Sequence, residues 1–264
     1  FALVREALQE RGLLLHKLAP HLVRPVSFLY PLTQPVWERA YVGAGVLLYD
    51  TLGGARQLPR HRHLSRKGAL EVVPSLRNDA LVGALQYWDA QVDDARFAME
   101  MARTAASNGA AIATSTRVTG LAREGQRIIG VEVQDLESGQ RFEIQARQVI
   151  NATGVWADQI QAMAGRGRIQ VRASKGIHIV VPRDRIHGDS GLLLRTETSV
   201  LFVIPWGHHW LIGTTDTDWD LDLAHPAASA TDIQFLLDRV NRVLRTPLTH
   251  DDVEGVFAGL RPLL

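Results

Sequence analysis

With 264 residues, 46% hydrophobic and 22% charged, the chain has the composition of an ordinary globular protein, which excludes a disordered or fibrous polymer. Its 29 basic and 28 acidic residues are interspersed and leave a formal net charge of +1, so there is no concentrated Lys/Arg surface to neutralise phosphates and no nucleic-acid partner is expected. The lack of cysteine removes disulfides, thiolate catalysis and Cys-ligated metal, which is compatible with a reducing compartment without requiring one.

Leu3, Ala7, Leu8, Leu13, Leu14 and Leu15 recur at near-helical spacing as far as Pro20 and predict an amphipathic helix bent near Gly12. Prolines at 20, 25, 31 and 35 forbid a continuous helix after it, and residues 26–30 are short enough for a strand. A helix is predicted over 37–52, ended by Gly53-Gly54, and 61–76 reads as a basic loop followed by a short helix with Pro74 near its end. GALQYWDAQV (83–92) alternates large and small side chains as a strand does. Asp93 or Asp94 then caps a helix over 95–107 that Asn108-Gly109 terminates.

Beyond that helix the period changes from 3.6 to 2. Strands are predicted at 111–116, 118–123, 128–135 and 141–149, a meander with turns at Gly125 and Ser138-Gly139 whose last strand runs into Asn151-Ala152-Thr153-Gly154. A helix over 156–163, strands at 177–181, 201–205 and 210–214, a helix over 233–244 and a strand at 255–259 complete the reading. The fold class is mixed α/β, of α+β type, with a large antiparallel component. Apolar runs such as 191–194 and 200–206 fall short of the roughly 20 residues that cross a bilayer. The charged first segment does not read as a signal peptide, and the chain ends on Arg261-Pro262-Leu263-Leu264 just after a strand, so a fragment of a longer protein is expected.

Four places carry chemistry. In NATGVW (151–156) a glycine lets the backbone approach a ligand and helix amides favour phosphate, although a plain strand-to-helix connection reads the same way. Lys175 and His178 stand three apart at a strand entrance, where an imidazole titrating near neutrality can take a proton from an alcohol, or can be a hydrogen-bonded core residue. IGTTDTD (212–218) collects hydroxyls and carboxylates past a strand, and equally makes a polar turn. Arg261 at the exit of the last strand can clamp a phosphate or carboxylate. His61-Arg62-His63 and His208-His209 lack a carboxylate at metal-ligand spacing, and the alternating Asp216, Asp218, Asp220 and Asp222 lack the glycine and glutamate of a calcium loop, so no metal is expected. There is no GxSxG, P-loop or GxGxxG.

In order and at this spacing, EALQERGLLLHKLAPHL (6–22), YDTLG (49–53), DAQVDDARF (89–97), NATGVWAD (151–158), SKGIHIVVPR (174–183), LFVIPW (201–206), IGTTDT (212–217) and GLRPLL (259–264) resemble the FAD-dependent glycerol-3-phosphate dehydrogenases of the D-amino-acid-oxidase-like flavoprotein superfamily. The resemblance implies an FAD-binding flavoprotein fold with a largely antiparallel substrate-domain sheet, truncated at both ends. It implies oxidation of sn-glycerol 3-phosphate to dihydroxyacetone phosphate, with electrons passed to a membrane quinone. By residue, it implies His178 as base for the C2 hydroxyl and Arg261 on the phosphate or the developing carbonyl and reduced flavin, with Lys175 and Thr215 in support. Val118, Ala152, Thr153 and Gly154 would contact FAD.

Some relatives carry a basic residue at the position of Ser199, for which Arg195 is the only nearby substitute. The link 164–168 reads as short and basic. The implied segmentation is a helical and substrate-domain part at 1–92, part of the FAD-binding domain with its meander at 93–165, and a substrate-binding antiparallel domain at 166–264. With the glycine-rich nucleotide fingerprint absent from these residues, the 264-residue chain alone is expected neither to retain FAD nor to turn over. Two alternatives stay open: an oxidase handing electrons to O₂ or acting on amino or hydroxy acids, and a non-catalytic binding module. The resemblance implies a cytoplasmic enzyme held peripherally at the inner face of the membrane, and leaves a homodimer open; the basic stretch 56–67 could touch anionic lipid, or be a solvated loop. Its site depends on the imidazole at 178 and the guanidinium at 261 converging on one pocket.

Overall fold

A sheet assembled from distant parts of the chain frames the first of two units, made of Phe1–Phe97, Gly176–Asp216 and Ala227–Ala258; the second unit comprises Ala98–Lys175, Thr217–Pro226 and Gly259–Leu264. The computed structural model describes residues 2–34, 36–52, 58–165, 167, 170–196 and 200–264. In chain order the elements are α1 (Ala2–Leu13), β1 (Val23–Leu32), α2 (Trp37–Leu52), β2 (Arg62–Ser65), α3 (Arg66–Val72), β3 (Gly83–Val92), α4 (Asp94–Ser107), β4 (Thr116–Glu124), β5 (Arg127–Asp135), β6 (Arg141–Gln145), α5 (Ala157–Met163), β7 (Arg172–Pro182), β8 (Gly191–Arg195), β9 (Val200–Trp206), β10 (His209–Gly213), β11 (Thr217–Asp218), α6 (Ala230–Asn241) and β12 (Gly255–Leu263). The chain passes between the units within α4, β7 and β12.

The first unit's strands run in the order β7-β10-β9-β8-β1-β3-β2, antiparallel except for the short β1–β8 contact at Phe28 and Leu29. Strand alternation splits this sheet into two unlike faces. Ile179, Ile212, Val203, Leu192 and Leu29 follow one another across five strands and are fully buried. Ala69 and Val73 from α3 and the turn after it, and Leu236, Leu237 and Val240 from α6, close over that face in the same cluster. A capping box fixes the start of α6: the Ser229 hydroxyl accepts from Asp232 N–H while the Asp232 carboxylate accepts from Ser229 N–H. Trp210 is fully buried at the edge of this core, its indole N–H donating to the Arg183 and Ile186 carbonyls at 3.1 and 3.0 Å.

The other face carries His178, Gly213, Phe202 and Leu193 directly opposite one another, half-buried apart from the glycine. At its β1–β3 end α2 packs through Val42 against Tyr30, Leu32 and Leu85. The α1 helix continues as a π-helical turn, Leu14–Leu18, which supplies Leu15 to a small cluster with Ala19 and Val23, so the bend expected near Gly12 is a change of helix type rather than a break.

In the second unit β4, β5 and β6 form the expected meander. Two expected extensions of it are absent: residues 111–115 and 146–150 are largely exposed coil with bends at 114–115 and 147, and neither stretch has a ladder partner among the described residues. NATG therefore follows coil, with Ile150 79% exposed, rather than a strand. Other departures come from pairing over long distances. Strand β1 is longer than expected and includes Pro25 and Pro31, which lie outside the two residues that β8 pairs, where a missing N–H costs nothing on that side. The basic loop contains β2, paired with β3; GLLLR forms β8; the polar turn 212–218 ends in β11; and β12 extends to Leu263. The expected helix end at Gly53-Gly54 and the expected cationic position at Ser199 lie outside the described residues, as do Arg166 and Arg168 of the link 164–168. Among the described residues no helix is long and apolar enough to cross a membrane.

Candidate functional site

The half-buried face of the first unit's sheet gathers aromatic side chains from separate strands. Phe28 of β1 stacks on Tyr87 of β3 (centroids 5.8 Å apart) and meets Phe202 of β9 edge-on at 5.5 Å, and Tyr87 in turn meets Tyr49 of α2 at 6.4 Å. At the β7 end of the face the His178 imidazole stacks on Phe257 of β12, with centroids 5.0 Å apart and planes 8° from parallel. Its register partner is Gly213, and a Cβ built there would stand 2.3 Å from the imidazole Cδ2. The ring therefore lies across the β10 main chain, in space that only glycine leaves open.

At the opposite end of the face a network ties α1, α2 and β3 together. Arg11 donates from Nη1 to the Tyr49 hydroxyl (2.9 Å) and to Asp89 Oδ1 (3.0 Å), and Tyr49 donates to Asp89 Oδ2 (2.9 Å). Burial pushes the Tyr49 phenol far up and the negative Asp89 adds to it, against the opposing pull of Arg11; Tyr87 is raised for the same reasons, burial first and then Asp89 and Tyr49. Both phenols stay protonated at any ordinary pH. Next to Tyr49, Asp50 accepts from the His61 backbone N–H (3.0 Å) and lies 2.6 Å from His61 Nδ1, anchoring the last turn of α2 to the segment leading into β2. Burial first, and then electrostatic repulsion from His61 and Arg39, hold the His63 imidazole below its ordinary pKa. Tyr49, Asp50 and Asp89 belong to motifs quoted from the sequence, but no sequence signal showed that they bond one another or Arg11 and His61.

The remaining expected residues divide between the units. Thr215, in the first, is buried and its hydroxyl oxygen accepts from Ile177 N–H at 3.1 Å, which fixes the β7 backbone one residue before His178. Arg195, exposed at the end of β8, borders a cavity of about 490 Å³ with Trp37, Arg239 and Arg242. The carboxylate in that cavity, Glu38, is turned to its own main chain: Oε2 accepts from Thr33 N–H and Gln34 N–H at 2.7 and 2.8 Å, and Oε1 accepts from Tyr30. Burial raises the Tyr30 phenol, Glu38 raises it further, and Arg195, hydrogen-bonded to the same oxygen, opposes both. Three ladder steps separate β8 from β7, about 14 Å at the usual strand spacing.

Lys175 belongs to the second unit, buried, with its ammonium 4.9 Å from the centre of the Trp219 ring. Arg261 is also in the second unit, half-buried in the closing residues of β12. Val118 is half-buried on β4 opposite Val133, beside a bulge between Val118 and Gly120. Ala152, Thr153 and Gly154 are exposed; Gly154 has φ +59°, a Cβ there would meet nothing within 4 Å, and Asn151 Oδ1 accepts from Thr153 N–H and Oγ1.

The model of the family described as FAD dependent oxidoreductase (DAO) matches residues 1–264. Over its whole length the chain is 60% identical to glycerol-3-phosphate dehydrogenase 2 of Mycobacterium tuberculosis, covering 45% of that protein, so it spans about half the length of the curated relatives it matches. It is 36% identical to the mitochondrial glycerol-3-phosphate dehydrogenase of Mus musculus, covering 37% of it. Among solved structures, the glycerol-3-phosphate dehydrogenase of Bacillus halodurans complexed with FAD superposes with a TM-score of 0.77 at 29% identity, over 99% of this chain and 47% of that one.

Proposed function

The chain belongs to the family of FAD-dependent oxidoreductases, and from that premise we propose that the protein oxidises sn-glycerol 3-phosphate to dihydroxyacetone phosphate and passes the electrons to a membrane quinone, at a peripheral position on the membrane. The observation that carries this reading is the His178 imidazole, held on an aromatic, half-buried sheet face in a chain 60% identical to a glycerol-3-phosphate dehydrogenase.

The exposed turn at 152–154 supports a cofactor contact. Its main chain is accessible, Gly154 adopts a conformation suited to glycine, and the open space beside it lets a flat ring system approach the backbone. Val118, Ala152, Thr153 and Gly154 would hold FAD, which when bound supplies the hydride acceptor. The chain's own residues supply the proton chemistry and the hold on the substrate. His178 accepts the proton of the C2 hydroxyl through a ring nitrogen as the C2–H bond gives up its electron pair as hydride and the carbonyl forms. Arg261 binds the phosphate or the developing carbonyl oxygen with its planar fork of donors. Thr215 supports the base indirectly, by its bond to the Ile177 N–H. Arg195 provides a further cationic donor, and Lys175 a buried one.

The test is reduction of bound flavin in the full-length, FAD-loaded protein without oxygen. sn-Glycerol 3-phosphate should bleach the flavin while lactate and amino acids leave it oxidised, and a quinone should reoxidise it faster than O₂. Bleaching by a hydroxy or amino acid and not by sn-glycerol 3-phosphate would overturn the reading.

A further inference from the structure

We propose that Phe257 and Gly213 are positioning residues for His178, forming a two-sided cradle that sets the plane of its imidazole. The inference rests on His178 acting as the base.

Three strands far apart in sequence, β7, β10 and β12, bring the three residues together. On one side the Phe257 ring lies nearly parallel to the imidazole, 8° apart at 5.0 Å. On the other, Gly213 stands opposite His178 in the ladder, and its missing side chain is where the imidazole lies: a Cβ would fall 2.3 Å from Cδ2, 2.6 Å from Cγ and 2.7 Å from Nε2. A histidine ring turns about its last torsion over a broad, roughly two-fold profile, so the strand alone does not fix where its nitrogens point. A stacked partner on one side and a main chain on the other do.

Ordinary core packing explains this arrangement poorly. Phe257 is 48% exposed, so an aromatic ring there gains little from burial, and a glycine within a strand costs about 0.5–1 kcal/mol relative to alanine. The same device recurs once on this face, where Gly191 stands opposite Phe28 and a Cβ would meet that ring at 2.8 Å. There, however, the ring is 5% exposed and packs on Tyr87 and Phe202, which is core behaviour. At Gly213 the ring that takes the space is the titratable one.

Gly213→Ala must move the imidazole by on the order of 1 Å to restore normal contact, and a misplacement of that size costs about 100-fold in rate. In the FAD-loaded, full-length protein this variant should lower kcat for sn-glycerol 3-phosphate about 100-fold with KM little changed. Phe257→Leu should lower kcat severalfold, and Phe257→Tyr, which keeps the stack, should restore it. The His178 ring signals, assigned by their loss in His178→Asn, should lie upfield from the face of the phenyl ring in the parent and in Phe257→Tyr, and move downfield in Phe257→Leu. Unmoved imidazole signals in Phe257→Leu, or a Gly213→Ala enzyme with parental kcat per bound flavin, would overturn the cradle. If His178→Asn itself turns over normally, the base assignment fails, while the ring signals still report whether the cradle exists.

Discussion

Across one face of the first unit's sheet Ile179, Ile212, Val203 and Leu192 lie side by side with no solvent exposure; one residue along on each strand, His178, Gly213, Phe202 and Leu193 cross the other face half-buried or as a bare backbone. The strands are the same, and only the parity differs. A period of two lets one set of ladders do two jobs, because every substitution reaches one face only. On β7, His178 is half-buried on one face while its neighbours Ile177 and Ile179 are fully buried on the other.

Substitutions on the dry face should remove stability and leave the chemistry per folded molecule intact. The largest effect is expected for Trp210→Ala, which empties a fully buried indole site and orphans the Arg183 and Ile186 carbonyls: about 3–5 kcal/mol lost in denaturant unfolding, with flavin reduction per folded molecule unchanged. Next comes Gly191→Ala, on the open face, whose Cβ would stand 2.7 Å from the Val203 carbonyl oxygen and 2.8 Å from the Phe28 ring; overpacking of that kind costs about 1–3 kcal/mol and, unlike a dry-face change, should disturb the aromatic packing around Phe28. Ser229→Ala removes the cap of α6, the helix over the dry face, and should cost about 1 kcal/mol by the same measurement.

The smallest effect is a pH dependence at the rim of the dry face. Burial pushes the Asp252 carboxyl up, but the Thr249 N–H and hydroxyl and the Arg185 guanidinium, 2.7 Å away, outweigh it and hold the group below its ordinary value. A depressed carboxyl contributes stability that is fully present above the unfolded value of about 3.9 and is lost as pH falls through the lower folded value. Asp252→Asn should therefore be less stable than the parent at pH 6, and the gap should close on acidification below about pH 4. A gap that persisted there would mean that the carboxylate's charge is not what stabilises the turn.

Elements that declare themselves locally were legible in the sequence. The bounds of α2 and β3 were read to the residue, and α4 to within one, because periodicity, a capping aspartate and a terminating glycine all lie within the segment itself. Strands that exist only through a distant partner were not: β2 looks like a basic loop until β3 pairs with it, and β8 like a short apolar run until β9 does. The converse holds for 146–150, where a strand-like sequence finds no ladder among the described residues. The same rule governs the site. His178 could be singled out from its residue type and its place in KGIH, but nothing in a sequence pairs residue 178 with 213 and 257. Arg11 could not have been placed against Asp89, 78 residues away, although both lie in recognised motifs.

The central claim is that the imidazole on the open face takes the C2 proton, and the most direct measurement is the single-turnover rate of flavin reduction by sn-glycerol 3-phosphate in the FAD-loaded, full-length His178→Ala protein. Loss of a positioned general base predicts a rate lower by about 100- to 10,000-fold, with unfolding midpoint and flavin content unchanged. A rate equal to that of the parent would contradict the account.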